Sequence, residues 1–105
     1  MSNVLKPLSN TATVTSAGTA VPFSSTSKVV RSINIQADVN NVGNVFIGSS
    51  DVDSTNGIEL APGNTMSIEA PMMGMSGADD LDLNNWYVDA ANSNDSIRIV
   101  SMIRP

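Results

Sequence analysis

The sequence predicts a small all-β domain, a single antiparallel β-sandwich or barrel of about six to eight strands. Apolar and polar residues alternate over several short stretches, at a period of two and not 3.6. Turn signals rich in Gly, Pro, Asn and Asp separate those stretches at intervals of roughly ten residues. No stretch carries a sustained helical pattern, and no internal repeat is evident. The chain has 105 residues, enough for one core. A domain of this size buries roughly 65% of the surface its unfolded chain would expose, so association would add to a modest stability.

Residues 1–27 read as an N-terminal arm with possible short strands, and 28–105 as the β-sandwich domain. Within the arm, 11–15 alternates, Ala17-Gly18 signals a turn, and 19–23 is expected to pair back, with Pro22 placing that strand at an edge. The clearest strand is 28–38. Val29, Ile33, Ile35 and Ala37 share one face, and Arg31 on that face implies an end that emerges from the core. Asn40, Asn41 and Gly43 mark a turn into 44–48, which suggests a β-hairpin. A polar loop over 49–57 leads to a brief strand at 58–60. Ala61-Pro62-Gly63-Asn64 is a strong turn, because Pro presets φ at one central position and Gly accepts positive φ at the next. Alternation resumes over 65–70, breaks over 71–85, and returns in strands at 86–90 and 96–103. The last strand has Ile97, Ile99 and Ile103 on one face and Val100 and Met102 on the other, so it is expected to be central or covered by a partner.

Charge narrows the partners. Net charge is −5, and the five basic residues Lys6, Lys28, Arg31, Arg98 and Arg104 are scattered. That argues against nucleic acid and against an anionic membrane surface. No apolar run approaches membrane-spanning length, and 1–10 lacks the basic start and apolar stretch of a secretion signal. Synthesis in a cytoplasm is the expectation.

The chemistry-bearing residues are few. Cys and His are absent, which removes thiolate nucleophiles, Cys- or His-based metal sites and His-dependent triads. Asp79, Asp80 and Asp82 could supply a carboxylate pair, but a glycosidase also needs an aromatic cleft, and the chain offers Phe23, Phe46, Trp86 and Tyr87. Trp86 and Tyr87 are neighbours, so in an extended segment they cannot share one sugar platform. The run from Asp51 to Gly57 departs from an EF-hand loop, with Asn56 at the sixth position and Pro62 at the twelfth. A looser Ca²⁺ site at Asp51 and Asp53 competes there with a turn whose Asp and Asn cap their own backbone. Met72, Met73 and Met75 fit either gap filling or a neighbouring subunit, and without Cys or His they make a poor Cu(I) site. No cofactor and no enzymatic activity are expected.

The segments 32–37, 44–48, 56–63, Ser67-Ile68, 86–90 and 95–99 follow one another in a cadence of strands and turns. This cadence resembles the small β proteins of bacteriophage virions, the capsid decoration (cement) and fibre-associated domains, over roughly residues 29–103. The resemblance implies a non-enzymatic protein on the capsid surface. It would bind the major capsid protein or another virion protein, as a homo-oligomer with a trimer favoured, and stabilise the outer head shell. A tail, neck or receptor-binding fibre domain is the alternative, and a carbohydrate-binding module a further one. The apolar residues that the core pattern does not require, Val4, Leu5, Pro7 and Leu8 with Met72, Met73 and Met75, are the candidate partner contacts.

Overall fold

The computed structural model describes residues 5–70 and 80–103. In chain order the strands are β1 (Lys6–Val14), β2 (Val21–Pro22), β3 (Val29–Val30), β4 (Ser32–Ala37), β5 (Val45–Gly48), β6 (Ile58–Leu60), β7 (Thr65–Glu69), β8 (Leu81–Asp82), β9 (Tyr87–Ala90) and β10 (Asp95–Ile103). A short 3-10 helix, Leu83–Asn85, lies between β8 and β9. The strands form two four-stranded sheets, in orders β1-β10-β4-β7 and β2-β9-β5-β6, and a small pair, β3-β8. Every pairing is antiparallel.

The two larger sheets enclose one core. Ala12 and Val14 from β1, Ile33, Ile35 and Ala37 from β4, and Ile97 and Ile99 from β10 meet Val45 and Ile47 from β5, Leu60 from β6, and Val88 and Ala90 from β9. Alternation along each strand produces this, since side chains two apart share a face. β10 is central in its sheet, as its two-sided apolar pattern predicts. Pro22 sits on edge strand β2, where a missing N–H costs no ladder bond.

The described residues hold ten strands, above the expected six to eight, because the strand expected at 28–38 becomes two and a short one forms at Leu81–Asp82. Within the expected arm, the short strand foreseen at 11–15 is instead nine residues long, 6–14, and pairs along its whole length with β10. Ser and Thr there face solvent while Leu8, Ala12 and Val14 turn inward. β1 and β2 do not form a hairpin, because β1 takes β10 and β2 takes β9 as partner.

The 28–38 strand is also divided. Val29 is 55% exposed while Val30 is buried, and Ile33 is buried again. The alternation changes phase at Arg31, where the chain passes from the β3-β8 pair into the larger sheet. Nor do β4 and β5 form the expected hairpin. Both edges of β4 are occupied, by β10 and β7, and β5 belongs to the opposite sheet. The connection between them is pinned to the start of β10. The Asp95 carboxylate accepts from the Val42 and Gly43 N–H groups at 3.0 and 2.9 Å. Asn41 and Ser96 exchange two hydrogen bonds, at 2.8 and 2.9 Å.

The turn at 61–64 forms as expected. Gly63 has φ +85°, and Asn64 N–H donates to the Ala61 carbonyl at 2.9 Å. The loop 49–57 builds a second, smaller apolar layer on the outside of β5. Phe46 and Val52 are buried there, apart from the main core. Gly57 makes the close approach possible, since a Cβ on it would lie 2.5 Å from Val52 Cγ2.

Candidate functional site

The β1-β10-β4-β7 sheet presents a continuous four-stranded solvent face. Register places its outward side chains in rows. One row reads Thr11, Arg98, Gln36 and Thr65, the next Ser9, Val100, Asn34 and Ser67, and the third Pro7, Met102, Ser32 and Glu69. Most of these are uncharged hydrogen-bonding groups. The Ser67 hydroxyl donates to Asn34 Oδ1 at 2.8 Å, and Asn34 Nδ2 donates to the Val100 carbonyl at 3.3 Å. These cross-strand bonds hold the side chains flat against the sheet. Arg98 approaches Asp38 at 3.5 Å with its side chain 58% exposed. Val100 is 42% exposed near the centre of the face.

Two shallow, open depressions of about 400 and 430 Å³ lie on this face, one on each side of Arg98 and Val100. Ser9, Asn10 and Thr11 line one, and Asn34, Gln36, Thr65 and Ser67 line the other. Small-molecule sites are concave, mostly apolar and carry a few convergent polar groups. Ile35, Met66, Ile99 and Val100 supply apolar floor to them, but both lie open to solvent, as parts of a protein contact surface do and enclosed ligand pockets do not.

Among the described residues, the acids that could suggest catalysis are engaged by backbone and side-chain groups; Asp79 lies outside the described residues. Asp82 caps the 3-10 helix. Its carboxylate accepts from the Ser27 hydroxyl at 2.5 Å, the Asn84 N–H at 2.9 Å and the Lys28 N–H at 3.0 Å. Those bonds, the Ser27 hydroxyl foremost, hold Asp82 below the usual aspartate range. Asp80 pairs with Arg31 at 2.7 Å. Asp53 accepts from the Thr55 hydroxyl and N–H at 2.6 and 2.8 Å, and the hydroxyl bond is the main cause of its lowered pKa. The Asp51 carboxylate accepts from the Ser49 hydroxyl at 2.5 Å. These are Asx-type turns that organise the loop. Among the described residues, no group of three or more acidic side chains is placed to hold a metal ion.

Trp86 packs on Phe23, with ring centroids 6.5 Å apart and planes tilted by 35°. It is half-buried against the core. Phe23 is itself buried, so it offers no second exposed ring beside Trp86.

The expected contact residues fall out as follows. Leu5 is 41% exposed, and Pro7 is exposed on the outer face beside Met102. Leu8 packs against the core, where the inward alternation of β1 needs it. Val4, Met72, Met73 and Met75 lie outside the described residues. The flanks of the Met segment share an end of the molecule with the start of β1. Lys6 pairs with Ile103, Met102 with Ser32, and Ser32 with Glu69, next to Ala70. Asp80, on the far side of the segment, meets Arg31 at that same end.

No protein-family model matches this chain, and no curated protein matches it. The outer face therefore stands on its own chemistry. Arg98, Asn34, Gln36 and Ser67 are not legible as a group in the sequence, because they become neighbours only through the β1-β10-β4-β7 register. Asp89 and Asp95 are buried. An Asp inside or at the start of a strand pattern is the sequence signal for this, since such a residue is costly there unless it holds backbone N–H groups. Asp89 does so, accepting from Gly18 N–H at 2.9 Å.

Proposed function

We propose that this chain is a non-enzymatic structural protein of a bacteriophage virion, a capsid decoration (cement) protein that binds the outer head shell and stabilises it. The observation that supports this most is the outer face of the β1-β10-β4-β7 sheet, which mixes neutral hydrogen-bonding side chains with apolar ones and carries few charges, with Val100 exposed near its centre. A surface of that kind gains from shape-matched contact over a large area and from many shared hydrogen bonds. Its partner is another protein surface of matching polarity, here the major capsid protein. The cadence of strands and turns supports the same reading. So does the use of Asp53 and Asp82 to hold backbone and hydroxyl groups, which leaves them poorly suited to proton transfer. The protein is made in the host cytoplasm and joins the particle by mass action on repeated sites.

Gradient sedimentation with heads of the phage that encodes the chain tests this. The expected outcome is saturable co-sedimentation, and heads that resist heat or dilution better when decorated. Heads that remain bare at high micromolar concentration exclude the proposal. Immunogold label on tails or fibres would move the protein to that part of the particle.

A further inference from the structure

Among the described residues each larger sheet has two strands with one unpaired edge, and natural proteins blunt such edges with charge, proline or shortness. In this molecule three of the four are clearly blunted. β1 begins with Lys6-Pro7, and its Asn10 side chain donates to the Phe23 carbonyl at 2.8 Å. β2 has two residues, the second of them Pro22. β6 has three residues, and its Glu59 carboxylate is held by Asn44 Nδ2. The edge of β7 is blunted least, by a single charge, Glu69, at its end. It is five residues long and free of Pro, Lys and Arg.

The hydrogen bonds of its ends show which groups face outward. The Asn64 carbonyl accepts from Ala37 N–H at 2.9 Å, and Ala70 N–H donates to the Arg31 carbonyl at 3.0 Å. Even-numbered residues of this stretch therefore point their N–H and C=O groups at β4. Thr65, Ser67 and Glu69 point theirs away, toward the open edge. The side chains beside that edge are also incompletely covered. Met66 and Ile68 turn inward yet stay half-buried, and Ile58 of β6, on the same flank, is 55% exposed.

We propose that a second copy of this chain pairs with β7, antiparallel and about a two-fold axis through Ser67. This register matches the outward groups. Ser67 faces Ser67 of the second copy, and Thr65 faces Glu69, so the residues with free N–H and C=O groups are those that meet. Met66 falls opposite Ile68, which completes the cover of both. Glu69 is the one charged residue in β7, and the antiparallel arrangement sets the two copies of it at opposite ends of the pairing. A parallel pairing would align them. The pattern is thus complementary to itself, as an isologous interface requires, and it doubles the four-stranded sheet into one continuous face. This inference does not rest on the virion reading.

Sedimentation velocity and native mass spectrometry of the purified chain test it. The expected species has twice the 11.0 kDa chain mass. Ser67→Lys places two ammonium groups across the axis and is expected to weaken dimerisation roughly tenfold, with recovery in high salt. Ser67→Pro removes a donor that faces away from β4, so the fold is retained and dimerisation falls. Circular dichroism checks each variant, and Ser67→Lys decides if the proline variant does not fold. A monomer up to high micromolar concentration, a trimer, or a dimer that folded Ser67→Lys leaves intact would overturn the proposal.

Discussion

Ser101 shows how much one buried polar group can weigh in so small a core. It lies on β10 between Leu8 and Ile33, fully buried, and its hydroxyl has no hydrogen-bond partner among the described residues. A desolvated hydroxyl without a partner is a net cost. Ser101→Ala is therefore expected to raise stability by about 1 kcal/mol, seen as a higher urea midpoint at unchanged slope. Asp95 is the opposite case. It is buried too, but both oxygens are used, on the N–H groups of Val42 and Gly43. Asp95→Ala leaves two N–H groups stranded and is expected to cost about 2–4 kcal/mol. Asp95→Asn keeps one acceptor and should lose roughly half of that. Equal losses in the two variants would show that the carboxylate does not latch the connection. Gly57→Ala tests packing instead of polarity. The new Cβ would press on Val52 and Phe46, at 2.5 and 3.0 Å, and the expected cost is about 1–3 kcal/mol.

At the scale of elements, Asp82 ties the 3-10 helix to the start of β3 through Ser27, Lys28 and Asn84. Its pKa in the folded chain lies below the usual 3.8. As pH falls, the unfolded chain therefore takes up the proton first. The contribution of Asp82 is complete above its unfolded value and is lost as pH drops through the lower folded value. Asp53 has the same sign, for the reason given by its Thr55 bonds. The urea midpoint is thus expected to be flat near neutral pH and to fall below pH about 4, with a shallower acid slope in Asp82→Asn. An unchanged slope would show that the cap carries no linkage. The elements also show what was legible. Strands β4, β6, β7, β9 and β10 were readable because each holds a period-two pattern between strong turn residues. The pairing of β4 was not, because the Asn/Gly turn at 40–43 signals a local hairpin, while the actual partners lie at Thr65–Glu69 and Asp95–Ile103. Likewise β1 resembled an arm, since its Ser and Thr residues show only one side of a strand whose other side holds Leu8, Ala12 and Val14.

On the scale of the molecule, β1 is needed twice, once for the core and once for the outer face. Removal of 1–14 would expose the full edge of β10, together with the core contacts of Val14, so that truncation is expected to abolish cooperative folding. The outer face was illegible in the sequence for a related reason. Its rows join Ser9, Val100, Asn34 and Ser67, which are remote along the chain and meet only when four strands are in register. That face also makes a sharp prediction for head binding. Its charges are few, and Arg98 already has Asp38 nearby. Attraction over a Debye length is then weak, so affinity for heads should change little with salt. What should matter is the uncharged centre. Val100 is 42% exposed, so Val100→Glu should alter stability by no more than about 0.5 kcal/mol. In contact with a capsid, the same carboxylate would be driven out of water without a partner, which should weaken binding at least about tenfold. The variant keeps the edge of β7 intact and should dimerise as the parent does. Val100→Glu that decorates heads with the affinity of the parent would place the head contact on another surface, whatever the state of the dimer.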